Sequence, residues 1–135
     1  MRARMASVFT EHTALRYLQF EDIYRRGARE LAGFVPRTDF PLLDLCCGTG
    51  FSTRELVERR RQGTSSIDAV DSSPAQLAVA RVLFGLDAPA HDVDERLRDA
   101  HHDYSRFTGV VFYEHDVRDL AALFGERRFA GVICN

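Results

Sequence analysis

The feature that most constrains the fold is a short apolar run that ends in glycines and passes straight into a helix. Phe40-Pro-Leu-Leu-Asp-Leu-Cys-Cys47 has the length of a strand buried on both faces of a parallel sheet. Gly48-Thr-Gly50 follows, and Ser52 and Thr53 are natural N-caps for a helix over Arg54–Arg61 that Gly63 closes. The pattern then repeats. Ile67–Asp71 is a second strand, and Ser72-Ser73-Pro74 opens a helix over Ala75–Phe84, serine at the cap and proline first in the helix. Gly109–His115 is a third strand that ends at Asp116, Asp119–Phe124 a short helix, and Arg128–Cys134 a fourth strand. Strands separated by helices require crossover connections, so the chain is α/β with a parallel sheet.

Two further helices are predicted from apolar spacing. Leu15, Leu18, Ile23, Leu31 and Phe34 mark one over Glu11–Phe34, stopped by Gly33 and Pro36. Val93, Leu97, Ala100, Tyr104 and Phe107 mark an amphipathic helical insertion near 90–107, before the third strand. With 135 residues the expectation is a loose arm over 1–10 and a single domain over 11–135.

Composition excludes several functions. A net charge of −2 argues against a nucleic-acid or membrane-surface partner. No apolar run reaches the roughly 18–20 residues of a membrane span, and the first residues lack a signal-peptide core. All 18 basic residues are arginine, which excludes a Walker-type phosphate loop and any Schiff-base lysine. Cys46, Cys47 and Cys134 read as reduced thiols of a cytoplasmic protein. His91, His101, His102 and His115 lack metal-ligand spacing, so no metal is expected. Arg59-Arg60-Arg61 reads as a solvated helix end favoured by the helix dipole.

The chemistry lies in Leu43–Thr53. Glycines at 48 and 50 let the chain turn sharply and let backbone N–H groups approach a ligand beside a helix N-terminus. Dinucleotide dehydrogenases use nearly the same turn. Here the third glycine of that fingerprint is replaced by Thr53, and Asp44 stands four residues before Gly48. A carboxylate there repels a pyrophosphate but suits a ligand carrying an ammonium group, which disfavours a nucleotide-dependent oxidoreductase. A solvated strand-end carboxylate remains open for Asp44, as does helix capping for Asp71 and Asp116.

Asp44-Leu-Cys-Cys-Gly48-Thr-Gly50 resembles the first motif of the class I S-adenosylmethionine-dependent methyltransferases. The resemblance covers Leu15–Asn135 and implies a Rossmann-like sheet of order 3-2-1-4 with helices on both faces. It implies cofactor contacts at Asp44, Cys46, Gly48, Thr49 and Gly50. Asp71, 21 residues after Gly50 and followed by Ser72, would accept from the ribose hydroxyls. Asp116 and Val117 match the adenine position, and Asn135 the place beside the methionine part. Tyr17 would stand near the mouth on an N-terminal helix that covers the cofactor. The implied cofactor is S-adenosylmethionine, with S-adenosylhomocysteine as product, and the partner is a methyl acceptor, expected to be a small molecule. No catalytic base is singled out.

The family carries seven strands, so the expectation is a domain truncated after its fourth strand. A homodimer or a separate second half would then pair through the exposed edge of that strand. The alternative function is a non-catalytic S-adenosylmethionine-binding module that needs a partner.

Overall fold

The computed structural model describes residues 11–61, 65–88 and 103–135. Leu42–Leu45 (β1) is the central strand, and its first three residues are buried because both sides are covered. β2 (Ile67–Asp71) and β4 (Gly131–Cys134) pair with it in parallel, with Leu42 opposite both Ile67 and Gly131. β3 (Val110–Glu114) pairs with β2, which gives the order β3-β2-β1-β4. The Rossmann-like order expected from the sequence is therefore present. Its topological switch lies where β1 meets β4, the place where open parallel sheets bind ligands.

The N-terminal helix is interrupted. α1 (Glu11–Tyr17) passes through a 3-10 turn at Leu18–Phe20 into α2 (Glu21–Gly33). α1 packs on α4 (Pro74–Leu83), and α2 on α3 (Phe51–Val57). The apolar face differs from the expected one at two positions. Ile23 is 71% and Phe34 87% exposed, while Ala28 and Ala32 are buried. Alanines let α2 approach α3 closely, and that contact is finished by charge. Buried Glu55 of α3 meets Arg54 at 2.6 Å, Arg25 at 3.3 Å and Arg29 at 3.5 Å.

The core beneath is aliphatic along the strands and aromatic at one side, where Phe84 stands edge-on to Tyr104 and Phe112. Tyr104 and Phe107 are buried there as the insertion reading requires, but they sit in an irregular stretch with a turn at 105–106, not in a helix. Val93, Leu97 and Ala100 of that prediction lie outside the described residues, as do the 1–10 arm and His91, His101 and His102. A 3-10 turn (Val117–Asp119) and α5 (Leu120–Phe124) then lead to β4.

Arg60 corrects the solvated-end reading of the arginine run. Its guanidinium donates to the carbonyls of Ser65 at 3.0 Å and Thr108 at 2.6 Å, bracing the starts of β2 and β3. Arg59 donates to the Val35 carbonyl at 2.8 Å. Backbone acceptors left over at the strand starts are satisfied this way instead of by water. Among the described residues no helix is long and apolar enough to cross a membrane.

Candidate cofactor site at the carboxyl edge of the sheet

The turn after β1 is built from three left-handed residues. Cys46 has φ +57°, Gly48 φ +55° and Gly50 φ +93°. Glycine adopts this region freely, whereas a side chain costs roughly 1–2 kcal/mol, so Cys46 is held there against its own preference. Gly50 then caps α3 in place of the predicted serine and threonine, its carbonyl accepting from Arg54 N–H at 2.9 Å. Ser52 and Thr53 instead lie inside the first turn of α3. Their hydroxyls donate to Asp44 Oδ2 at 2.8 and 2.6 Å. The spacing holds the signal for this contact: residues two and three after the second glycine fall in the helical turn directly over the strand.

Asp44 is fully buried, and its Oδ1 has no hydrogen-bond partner. Burial pushes its carboxyl up to about 7, against the two hydroxyl bonds that favour the charge; the Asp71 carboxylate nearby adds to the rise. The native state thus holds a proton between about pH 4 and pH 7 that the unfolded chain has lost. The unfolded state binds fewer protons over that window, so this group makes stability fall as pH rises through it. Asp44→Asn should remove that slope. Urea unfolding of parent and variant at pH 4, 5.5 and 7 should show the parent losing ground to the variant as pH rises. Parallel stability profiles would mean that Asp44 does not titrate in this range.

Asp71, the last residue of β2, ties the two turns together. Its Oδ2 accepts from Gly48 N–H at 2.9 Å, and its Oδ1 from Ser73 N–H at 2.8 Å. Each oxygen keeps a second lone-pair direction for a further donor. Helix capping falls to Ser73, whose hydroxyl accepts from Gln76 N–H at 3.3 Å, with Pro74 first in the helix. Ser72 is exposed beside it, while Thr49 is buried within the glycine turn.

Asp116 follows β3 and caps the 3-10 turn, its carboxylate accepting from Arg118 N–H at 2.9 Å. The Arg118 side chain and the same backbone N–H hold its carboxyl well below the usual range. Val117 is half-buried next to it. Asn135 is exposed just past β4, beyond Cys134. Strand ends thus bring Asp44, Cys46, Gly48, Gly50, Asp71, Asp116 and Asn135 to one edge of the sheet. Tyr17 is connected to this region through other rings. Its ring lies 5.3 Å from that of Tyr24, which lies 6.2 Å from Phe51, the residue after Gly50.

Glycine 50 is required by packing as well as by φ. A Cβ there would lie 2.7 Å from Phe84 Cε2, whereas one at Gly48 would meet Gln76 Oε1 at 3.2 Å. Gln76 and Phe84 escaped the sequence reading, since only the fold carries α4 under the turn.

Comparison with known proteins agrees with this geometry. A protein-family model described as a methyltransferase domain matches residues 42–135. A trans-aconitate 2-methyltransferase of Rhizobium rhizogenes is 40% identical over 70 residues, covering 51% of this chain and 27% of that protein. One from an Azoarcus species is 46% identical over 66 residues, covering 48% of this chain and 25% of that protein. The matched stretch is about a quarter of the length of each of these relatives. Among solved structures, a Methanococcus maripaludis protein provisionally assigned as an S-adenosyl-L-methionine-dependent methyltransferase superposes with a TM-score of 0.53. It is 17% identical and is covered over 43% of its length by 82% of this chain, a likeness of fold alone. The strand order, the glycine turn and the matched domain together place the chain in the methyltransferase-domain family, as the resemblance to class I S-adenosylmethionine-dependent methyltransferases implied.

Proposed function

We propose that the chain is the cofactor-binding part of an S-adenosylmethionine-dependent methyltransferase acting on a small, acidic acceptor. The observation that carries the cofactor is the pairing of two carboxylates of unlike environment at one strand edge. Asp44 Oδ1 is buried without a donor, a demand that an ammonium group meets. Asp71 is half-exposed, with both oxygens anchored by backbone and still open to hydroxyl donors. An amino acid at one end and a ribose at the other fit that order; a pyrophosphate at the glycine turn does not, because Asp44 would repel it.

When bound, S-adenosylmethionine supplies a methyl group on a sulfonium already activated by its own charge. The chain's part is then alignment and exclusion of water, and well-aligned reactants reach effective molarities of about 10⁵–10⁸ M. In this reading Gly48, Thr49 and Gly50 bring backbone against the amino-acid end, with Cys46 and Asn135 flanking it. Asp71 and Ser72 hold the ribose, and Asp116 and Val117 bound the adenine. Tyr17, through Tyr24 and Phe51, links the N-terminal helices to the mouth. The acidic acceptor rests on the named relatives, which are trans-aconitate methyltransferases. The outer edge of β4, where Val132 is 52% exposed, is where a further strand from a longer chain or a second copy would pair. Cys46, Cys47 and Cys134, free of permanent disulfides, fit a cytoplasmic setting.

Calorimetry with S-adenosylhomocysteine, S-adenosylmethionine and NAD side by side tests the reading. Binding of the first two and none of the third is expected, with hydrogen exchange over residues 11–34 slowed by S-adenosylhomocysteine. Micromolar NAD affinity would overturn the cofactor assignment. Unchanged exchange over 11–34, with slowed exchange at the glycine turn, would reduce the N-terminal helices to packing.

A further inference from the structure

Two cysteines from neighbouring strands meet at the carboxyl edge. Leu45 of β1 stands opposite Cys134 of β4 in parallel register. Their side chains share a face, and a regular strand would send Cys46 to the other. Cys46 breaks that alternation. Among the described residues it is the only non-glycine in the left-handed region, with φ +57°. The turn leaves its thiol near that of Cys134, which adds to the rise of the Cys46 thiol. Cys46 is one Cα step of about 3.8 Å past Leu45, the residue that Cys134 faces across a strand spacing of about 4.8 Å. A disulfide needs Cα atoms about 4.4–6.8 Å apart. Both thiols are exposed, while Cys47 next in sequence is buried.

We propose that Cys46 and Cys134 form a reversible intramolecular disulfide across β1 and β4 that closes the glycine turn to the cofactor's amino-acid end. Closure proceeds by exchange with a small-molecule disulfide. One protein thiolate attacks a sulfur of the oxidant and expels one small thiol, leaving a mixed disulfide. The second protein thiolate attacks that protein sulfur and expels the other small thiol. One S–S bond forms in the protein as the oxidant's breaks, and two electrons and two protons pass from the cysteines to the two small thiols.

Burial, the Cys134 contact and the nearby Asp71 and Asp44 charges push the Cys46 thiol up to about 11. Exchange is therefore slow near neutral pH. The disulfide, once made, is exposed and tied to a strained residue, so a dithiol reopens it readily. Such transient linkages are the form in which disulfides occur in reducing compartments. Strained residues cluster where a backbone serves a site, as Cys46 does in the glycine turn.

The linkage stands on the β1–β4 register and the left-handed turn at Cys46; its effect on ligand rests on the cofactor reading above. The test treats the purified chain with excess oxidised glutathione at pH 8.5 and then with dithiothreitol. Expected is an intact mass lower by two hydrogens and a tryptic cross-link between Thr38–Arg54 and Phe129–Asn135, with fragment ions assigning Cys46. Cys134→Ser should instead gain one glutathione. S-adenosylhomocysteine should bind the oxidised chain at least 10-fold more weakly, and reduction should restore it. No cross-link, one through Cys47, or one between chains would overturn the proposal. A cross-linked chain that binds S-adenosylhomocysteine within twofold of the reduced one would overturn the closure. Failure of the reduced chain to bind it at all would remove the cofactor reading and the closure together, leaving the linkage to the mass spectrum.

Discussion

Replacing Asp71 with alanine is expected to weaken S-adenosylhomocysteine binding roughly 10- to 150-fold, the worth of a charge-assisted hydrogen bond of about 1.5–3 kcal/mol. Two effects of the substitution must be separated. The carboxylate would hold the ribose, but it also anchors Gly48 N–H at 2.9 Å and Ser73 N–H at 2.8 Å. Part of any loss of affinity would therefore come from a loosened glycine turn. A ligand lacking both ribose hydroxyls distinguishes the two. If Asp71 holds the ribose, the parent should lose affinity for the dideoxy ligand, and Asp71→Ala should lose little more. If it only braces the turn, the variant should lose equal factors for both ligands. That comparison is a double-mutant cycle with one partner on the ligand. S-adenosylhomocysteine binding to Asp71→Ala within twofold of the parent would remove Asp71 from the site.

The parts of the fold legible in the sequence are those set by local rules. A glycine turn after an apolar run, and serine then proline before Gln76, each depend on residues a few positions apart. The strands and the Ser73 cap therefore appear where expected. Strand order followed from the family resemblance, since no local pattern encodes which strand sits beside β1. What escaped depends on residues brought together by packing. Ile23 and Phe34 keep helical spacing yet face solvent, because the α2–α3 contact is closed by small alanines and by Glu55 with three arginines. Ser52 and Thr53 look like caps from their identity alone. Only the buried position of Asp44 makes them donors to it. Arg60 is indistinguishable in sequence from its two arginine neighbours, but the starts of β2 and β3 leave it two carbonyls to satisfy. At the candidate site, the placement of the acids and glycines at strand ends was readable, whereas the unlike environments of Asp44 and Asp71 needed the packed structure.

Gly50→Val should cost the chain about 2–5 kcal/mol, from a left-handed backbone penalty of roughly 1–2 and an overpacking cost of roughly 1–3. Domains of ordinary stability hold about 5–15 kcal/mol, so the variant should unfold at markedly lower urea. The structure places Phe84 Cε2 2.7 Å from that Cβ, and Phe84 is 4% exposed amid Tyr104, Phe107 and Phe112. The ring cannot withdraw without disturbing the aromatic cluster, so loss of ligand binding and loss of stability should arrive together. Two variants separate the contributions. Gly50→Ala in a Phe84→Leu background meets a smaller neighbour, so its added cost should shrink toward the backbone penalty alone. Gly48→Ala meets only the end of the flexible Gln76 side chain, at 3.2 Å, and keeps the φ penalty. It should therefore lose more in S-adenosylhomocysteine affinity than in stability, which makes it the cleaner probe of the ligand. If Gly50→Val unfolded within about 0.5 kcal/mol of the parent, the size of a neutral surface change, the turn would have to relax away from Phe84 and the packing argument would fail.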